Sequence, residues 1–99
     1  MKSFRTYLEN NYHKLLERRL EWFDSMKDLI FNLRKNFPEE SLTWDSNSRN
    51  LGQIYDVFGV QLQIIRYNIF YGICIVKNLD TGQFAKIRLS ELQKLGQQL

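Results

Sequence analysis

One cysteine, one histidine and one proline stand among these 99 residues, and each scarcity closes a class of function. A lone thiol, Cys74, forms no internal disulfide and fits a reducing, intracellular setting. Zinc and its relatives need clustered Cys, His or carboxylate side chains, whereas His13 and Cys74 stand apart at no metal-binding spacing, so neither a metal nor a cofactor is expected. The same two residues leave nucleophilic catalysis without an activated partner. His13, beside Tyr12 on a helix, reads as a surface or interface residue, and Cys74, inside an apolar strand, as a small buried hydrophobe. Glu39 and Glu40 are adjacent in a loop and do not converge for acid–base work. Gly52, Gly59, Gly72, Gly82 and Gly96 are scattered rather than gathered into a phosphate-binding loop. An enzyme is not expected.

Long apolar runs are missing as well. The longest, Ile69 to Val76, is far too short to span a bilayer, and "MKSFRTYLENN" lacks the apolar segment of a secretory signal. The expectation is a cytoplasmic protein with no membrane partner. What is present suits a folded globule: 43% apolar and 14% aromatic residues in a chain the size of one domain. The net charge of +3 permits nucleic-acid binding without demanding it.

Along the chain, residues 1–37 read as one long helix. Phe4, Leu8, Tyr12, Leu15, Phe23, Met26, Ile30, Leu33 and Phe37 recur at helical spacing, with Leu16 and Leu20 bridging a gap at Arg19. Ser3 serves as N-cap and Pro38 as the stop. Residues 38–59 form a loop, "EESLTWDSNSRN", and then a short helix carrying Leu51, Ile54, Tyr55 and Phe58; a strand over residues 53–57 is the alternative. Residues 60–99 form the sheet. Val60, Leu62 and Ile64 alternate with glutamines, "IFYGICIV" is apolar on both faces, and "FAKIRL" alternates again. "LDTG" closes the last hairpin as a type I turn with Asp80 and Thr81 central and Gly82 fourth. Ser90 caps a final helix bearing Leu92, Leu95 and Leu99.

The fold class expected is therefore α+β in a single domain. A long N-terminal helix packs on a three-stranded antiparallel β-meander, followed by a short C-terminal helix. Leu8, Leu15, Phe23, Ile30, Leu62, Ile64, Ile73, Ile75, Ile87 and Leu89 form its core.

Such a helix would run about 50 Å at 1.5 Å per residue, whereas a compact chain of this length is only about 33 Å across. Its excess apolar surface implies a partner: another protein, or a second copy of this chain in a homo-oligomer joined through the long helix. The large residues off the main stripe, Tyr7, Trp22, Leu29, Phe31 and Trp44, are the contact candidates. The function expected is docking on another protein as an adaptor, regulator or inhibitor, a type that includes phage and mobile-element inhibitors of host nucleic-acid machinery. The alternative is a small basic nucleic-acid-binding module. In it Lys77, Lys86 and Arg88 of the C-terminal hairpin hold the backbone while Phe84 stacks a base. That reading needs the cations to converge on one surface.

Residues 74–92, "CIVKNLDTGQFAKIRLSEL", resemble the last hairpin of the anticodon-binding domains of histidyl-type aminoacyl-tRNA synthetases, in the strand, the "L-x-T-G" turn and the closing "EL" helix. The likeness covers about a fifth of the chain. The long helix before it departs from the strand–helix alternation of that family, and no residue role is carried over.

Overall fold

The computed structural model describes residues 20–37 and 43–99. In chain order the elements are β1 (Trp22–Phe23), α1 (Met26–Asn36), β2 (Ile54–Val57), β3 (Val60–Asn68), β4 (Ile73–Asn78), β5 (Phe84–Arg88), α2 (Leu89–Leu95) and β6 (Gln97–Gln98). All six strands join one antiparallel sheet in the order β1-β5-β4-β3-β2-β6. The two outer strands are two residues each, which keeps the exposed edges short and discourages edge-to-edge association.

This replaces the expected long helix on a three-stranded meander. The continuous helix fails between Leu20 and Ser25, where side chains alternate instead of following a helical stripe. Leu20 and Trp22 pack on one face of the sheet and Phe23 on the other, with Trp22 opposite Ala85 and Phe23 opposite Phe84. Aromatic residues suit such a pleated, half-buried position. The helix begins only at Met26, because Ser25 is an extended N-cap whose hydroxyl accepts the Asp28 N–H at 3.2 Å. From there the spacing reads correctly: Leu29 and Leu33 are buried, and Met26, Ile30 and Phe37 flank them. Asp28 in the first turn and Arg34 and Lys35 in the last complement the helix dipole. The part of the long helix expected over residues 1–19 lies outside the described residues, and with it Tyr7, Leu8, His13 and Leu15.

The expected short helix around Ile54 is strand β2, pairing Ile54–Val57 with Val60–Gln63. Tyr55 and Val57 are buried while Ile54 and Asp56 are half-exposed, so a period of two overrides the apparent helical spacing. The three expected strands are present as β3, β4 and β5, and the last helix as α2. The N-cap of α2 is Arg88, without a side-chain cap, rather than Ser90.

Two apolar clusters occupy the two faces. The first gathers Tyr55, Val57, Val60, Leu62, Ile64, Cys74, Val76, Ala85 and Ile87 beneath Leu92 of α2 and Leu20. The second gathers Ile75 and Phe23 beneath Leu29 and Leu33 of α1, with Trp44, Phe37 and Phe84 at its margin. Of the expected core, Phe23, Leu62, Ile64, Ile73, Ile75 and Ile87 are buried, and Ile30 and Leu89 are half-buried at the cluster margins.

One irregularity sets which side chains share a face. Ile64 pairs with Val76 but Arg66 with Ile75, so Ile65 is an extra residue, a β-bulge. Plain alternation after Leu62 and Ile64 would send Arg66 into the first cluster. The bulge sends Tyr67 there instead, opposite Cys74, and turns Arg66 to the face that carries α1. A one-residue slip moves every later side chain to the other face; here it keeps a guanidinium out of the core.

Candidate docking surface

The β3–β4 and β4–β5 hairpins share one turn sequence pattern. Asn68-Ile69-Phe70-Tyr71-Gly72 and Asn78-Leu79-Asp80-Thr81-Gly82 both run Asn-x-x-x-Gly between paired strand ends. Both asparagines are buried. The Asn68 Oδ1 accepts the Tyr71 N–H at 3.1 Å, and the Asn78 Oδ1 accepts those of Asp80 and Thr81 at 2.9 and 3.3 Å. Each loop closes on a glycine in the left-handed region, φ 64° at Gly72 and 76° at Gly82, where a side chain is strained. The second loop is thus a five-residue turn closed by the Gly82 N–H on the Asn78 carbonyl at 2.8 Å, rather than a plain four-residue type I turn.

The two loops differ in what they carry. Leu-Asp-Thr is ordinary turn composition, while Ile69 and Phe70 are 63% and 67% exposed and Tyr71 is 41% exposed. The apolar run expected as a central strand is therefore divided: Ile69–Gly72 is a turn, and β4 starts at Ile73. The tip is held on both flanks. The Asn68 Nδ2 donates to the Thr43 carbonyl at 2.9 Å, and the Asp45 N–H donates to the Tyr67 carbonyl at 2.8 Å. On the other side, the Leu89 N–H donates to the Gly72 carbonyl at 2.9 Å. Phe37, ending α1, lays its ring 5.0 Å from that of Tyr71, and the Lys86 ammonium stands 5.7 Å over the Phe37 ring. Beside them is a recess of about 230 Å³ lined by Phe37, Ile73, Lys86, Ile87, Arg88 and Glu91.

The contact candidates scatter in this geometry. Leu29 is fully buried in the second cluster and has no surface to offer. Trp22 and Trp44 are half-buried, each packed against a cluster margin, so they brace the fold. Phe31 is 71% exposed in a shallow groove with Met26, Lys27, Ile30 and Arg34. Tyr7 lies outside the described residues. On the basic hairpin, Lys77, Phe84, Lys86 and Arg88 share the face that carries α1. Phe84 is half-buried in the second cluster with the Lys77 ammonium 6.0 Å from its ring centroid. The tip residues Ile69, Phe70 and Tyr71 were missed by the sequence reading, although Asn68 and Gly72 bracket them as turn residues.

The remaining chemistry is spare. Cys74 is fully buried, and burial pushes its thiol up to about 12 from 9.0, so it is unfit as a nucleophile at neutral pH. Among the described residues no group of His, Cys, Asp or Glu is placed to hold a metal ion, and no helix is long and apolar enough to cross a membrane. No family model, curated protein or solved structure matches the chain.

Proposed function

We propose that this chain is a non-catalytic binding domain that docks on another protein through the β3–β4 tip. The observation that carries the reading is the contrast between its two Asn-x-x-x-Gly turns. The backbone of such a turn accepts Leu-Asp-Thr, so nothing in turn geometry demands Ile-Phe-Tyr, and exposing large apolar side chains to water is unfavourable in the free protein. Clustered exposed apolar side chains on a rigid mount are what a partner's cleft receives, with aromatic residues as the usual anchors. Phe31 on α1 supplies a second apolar contact. Such docking serves an adaptor, a regulator or an inhibitor alike.

The length mismatch that pointed to self-association assumed one continuous helix over residues 1–37, whereas Leu20–Ser25 is not helical. The surface proposed here takes its place.

A photo-crosslinking amino acid at Phe70, compared in cells with the same probe at the exposed, polar Gln93, tests the reading. A discrete protein adduct from position 70 and none from position 93 is expected. Equal yields from both positions, or no adduct from position 70, would contradict it.

A further inference from the structure

Strands β3, β4 and β5 together contain four charged residues, Arg66, Lys77, Lys86 and Arg88, and all four are cations. The pairing puts every one of them on the same face. Arg66 lies opposite Ile75, and Ile75 opposite Lys86, so two cations flank one buried isoleucine across three adjacent strands. One row toward the tip, Ile73 pairs with Arg88; one row away from it, Lys77 pairs with Phe84. Only the bulge at Ile65 brings Arg66 to this side. Plain alternation would have split the set between the two faces.

Two aromatic rings meet at the tip end of this basic face. Tyr71 is partly exposed and rests against Phe37, and the 230 Å³ recess beside Phe37 opens between Lys86 and Arg88. Glu91, also in its lining, is the one acid there, against two cations in the same lining. From this arrangement we infer that Lys86 and Arg88 beside Tyr71, with Arg66 on the far side of the α1-covered Ile75, bind single-stranded nucleic acid. Guanidinium and ammonium groups hold phosphate oxygens, with arginine suited to two-pronged contact. A tyrosine ring stacks on any base, so the contact is tolerant of sequence. An acidic polypeptide would satisfy the cations but has no general use for the ring. This surface shares Tyr71 with the docking tip but not Ile69 or Phe70, so Phe70→Ser, which should leave oligonucleotide binding unchanged, separates the two readings.

The test is fluorescence anisotropy of 5′-labelled oligo-dT and oligo-rU, 20 nucleotides long, across 50 to 300 mM KCl. Three phosphate contacts predict a slope of log K against log salt of about −2. Arg66→Ala with Arg88→Ala, both at exposed positions, should weaken binding at least tenfold at 50 mM and flatten the slope, while Arg66→Lys with Arg88→Lys restores most of the slope. Tyr71→Ala should lower affinity with little change in slope. Lys94→Ala, an exposed cation on α2, should do neither. Thermal melts of each variant separate lost contact from lost fold. Absence of binding at 50 mM, an equal loss on Lys94→Ala, or a preference for poly-glutamate over either oligonucleotide would overturn the inference.

Discussion

The ring of Phe37 lies 5.0 Å from that of Tyr71, tilted by 44°, and so ties the end of α1 to the tip of a hairpin more than thirty residues later. It adds a side-chain contact to the hydrogen bonds from Asn68, Asp45 and Leu89 that flank the tip. The pair predicts that Phe37→Ala destabilises the domain by roughly 1–2 kcal/mol, less than a fully buried phenylalanine costs. A double-mutant cycle with Tyr71→Ala should give a coupling of about 0.5–1.5 kcal/mol. Urea titrations of the four proteins measure it, and additive losses would mean that the rings touch without cooperating.

Gly96 predicts a second outcome. A Cβ there would stand 2.6 Å from the Val57 Cγ2 and 2.8 Å from the Asp56 carbonyl oxygen, and the backbone of β2 has no room to yield. Gly96→Ala should therefore push β6 off β2 and cost roughly 1–3 kcal/mol. Amide exchange at the Leu99 N–H, which donates to the Ile54 carbonyl at 2.8 Å, should accelerate first. Unchanged protection of that amide would refute the close approach.

The bulge makes a sharper claim. Ile65 is the extra residue, so deleting it leaves Arg66 opposite Ile75 and Tyr67 opposite Cys74, each on the face it already occupies. The deletion should therefore be tolerated at a cost of roughly 1–2 kcal/mol, the loss of one half-buried side chain. Deleting Arg66 together with Ile65 should instead turn Tyr67 out of the first cluster and cost roughly 3 kcal/mol or more. Circular dichroism melts decide the matter, and a single deletion of Ile65 that unfolds the domain would refute the assigned bulge.

Cys74 carries a pH prediction. Its thiol is held neutral in the fold up to about 12 but ionises from about 9.0 once unfolded. Below pH 9 both states keep the proton and the group has no influence. Above that, the unfolded state loses a proton that the folded state retains, so stability falls as pH rises from 9 toward 12. Cys74→Ala should remove this component of the alkaline loss. In the parent at pH 8, a thiol reagent should react only as fast as the protein opens; immediate reaction would contradict the burial.

Parts of this architecture were legible in the sequence because one local rule governed them. Leu62 and Ile64 alternating with glutamines, and Ala85 and Ile87 alternating with Phe84 and Lys86, gave β3 and β5. The apolar spacing from Met26 to Phe37 gave α1. Where two rules competed, the reading went astray. Trp22 and Phe23 fit both a helical stripe and a strand, and only the pairing with Phe84 and Ala85 decided for the strand. Ile54, Tyr55 and Phe58 posed the same ambiguity beside a two-residue turn in which Phe58 takes the uncommon φ of 52°. Ser25 three residues before Asp28 was a readable cap signal that the longer apolar pattern obscured.

The surface was less legible than the core. Leu29, off the expected stripe, proved central to the second cluster, because the helix starts later and lies at a different rotation. Ile69, Phe70 and Tyr71 were read as strand interior, because apolar residues in a run are normally buried. Which face Arg66 occupies depended on a bulge that no single-sequence pattern displays. The convergence of Lys77, Lys86 and Arg88 with it follows from register alone.

At the tip, Ile69 and Phe70 serve contact rather than stability, and Phe70→Ser tests that directly through two numbers. One is its Tm; the other is its affinity for the protein crosslinked from position 70. The account predicts a Tm within a degree or two of the parent, since a 67% exposed side chain contributes little to the fold, together with a tenfold or greater loss of affinity, about 1.4 kcal/mol or more. Unchanged affinity at unchanged Tm would contradict it.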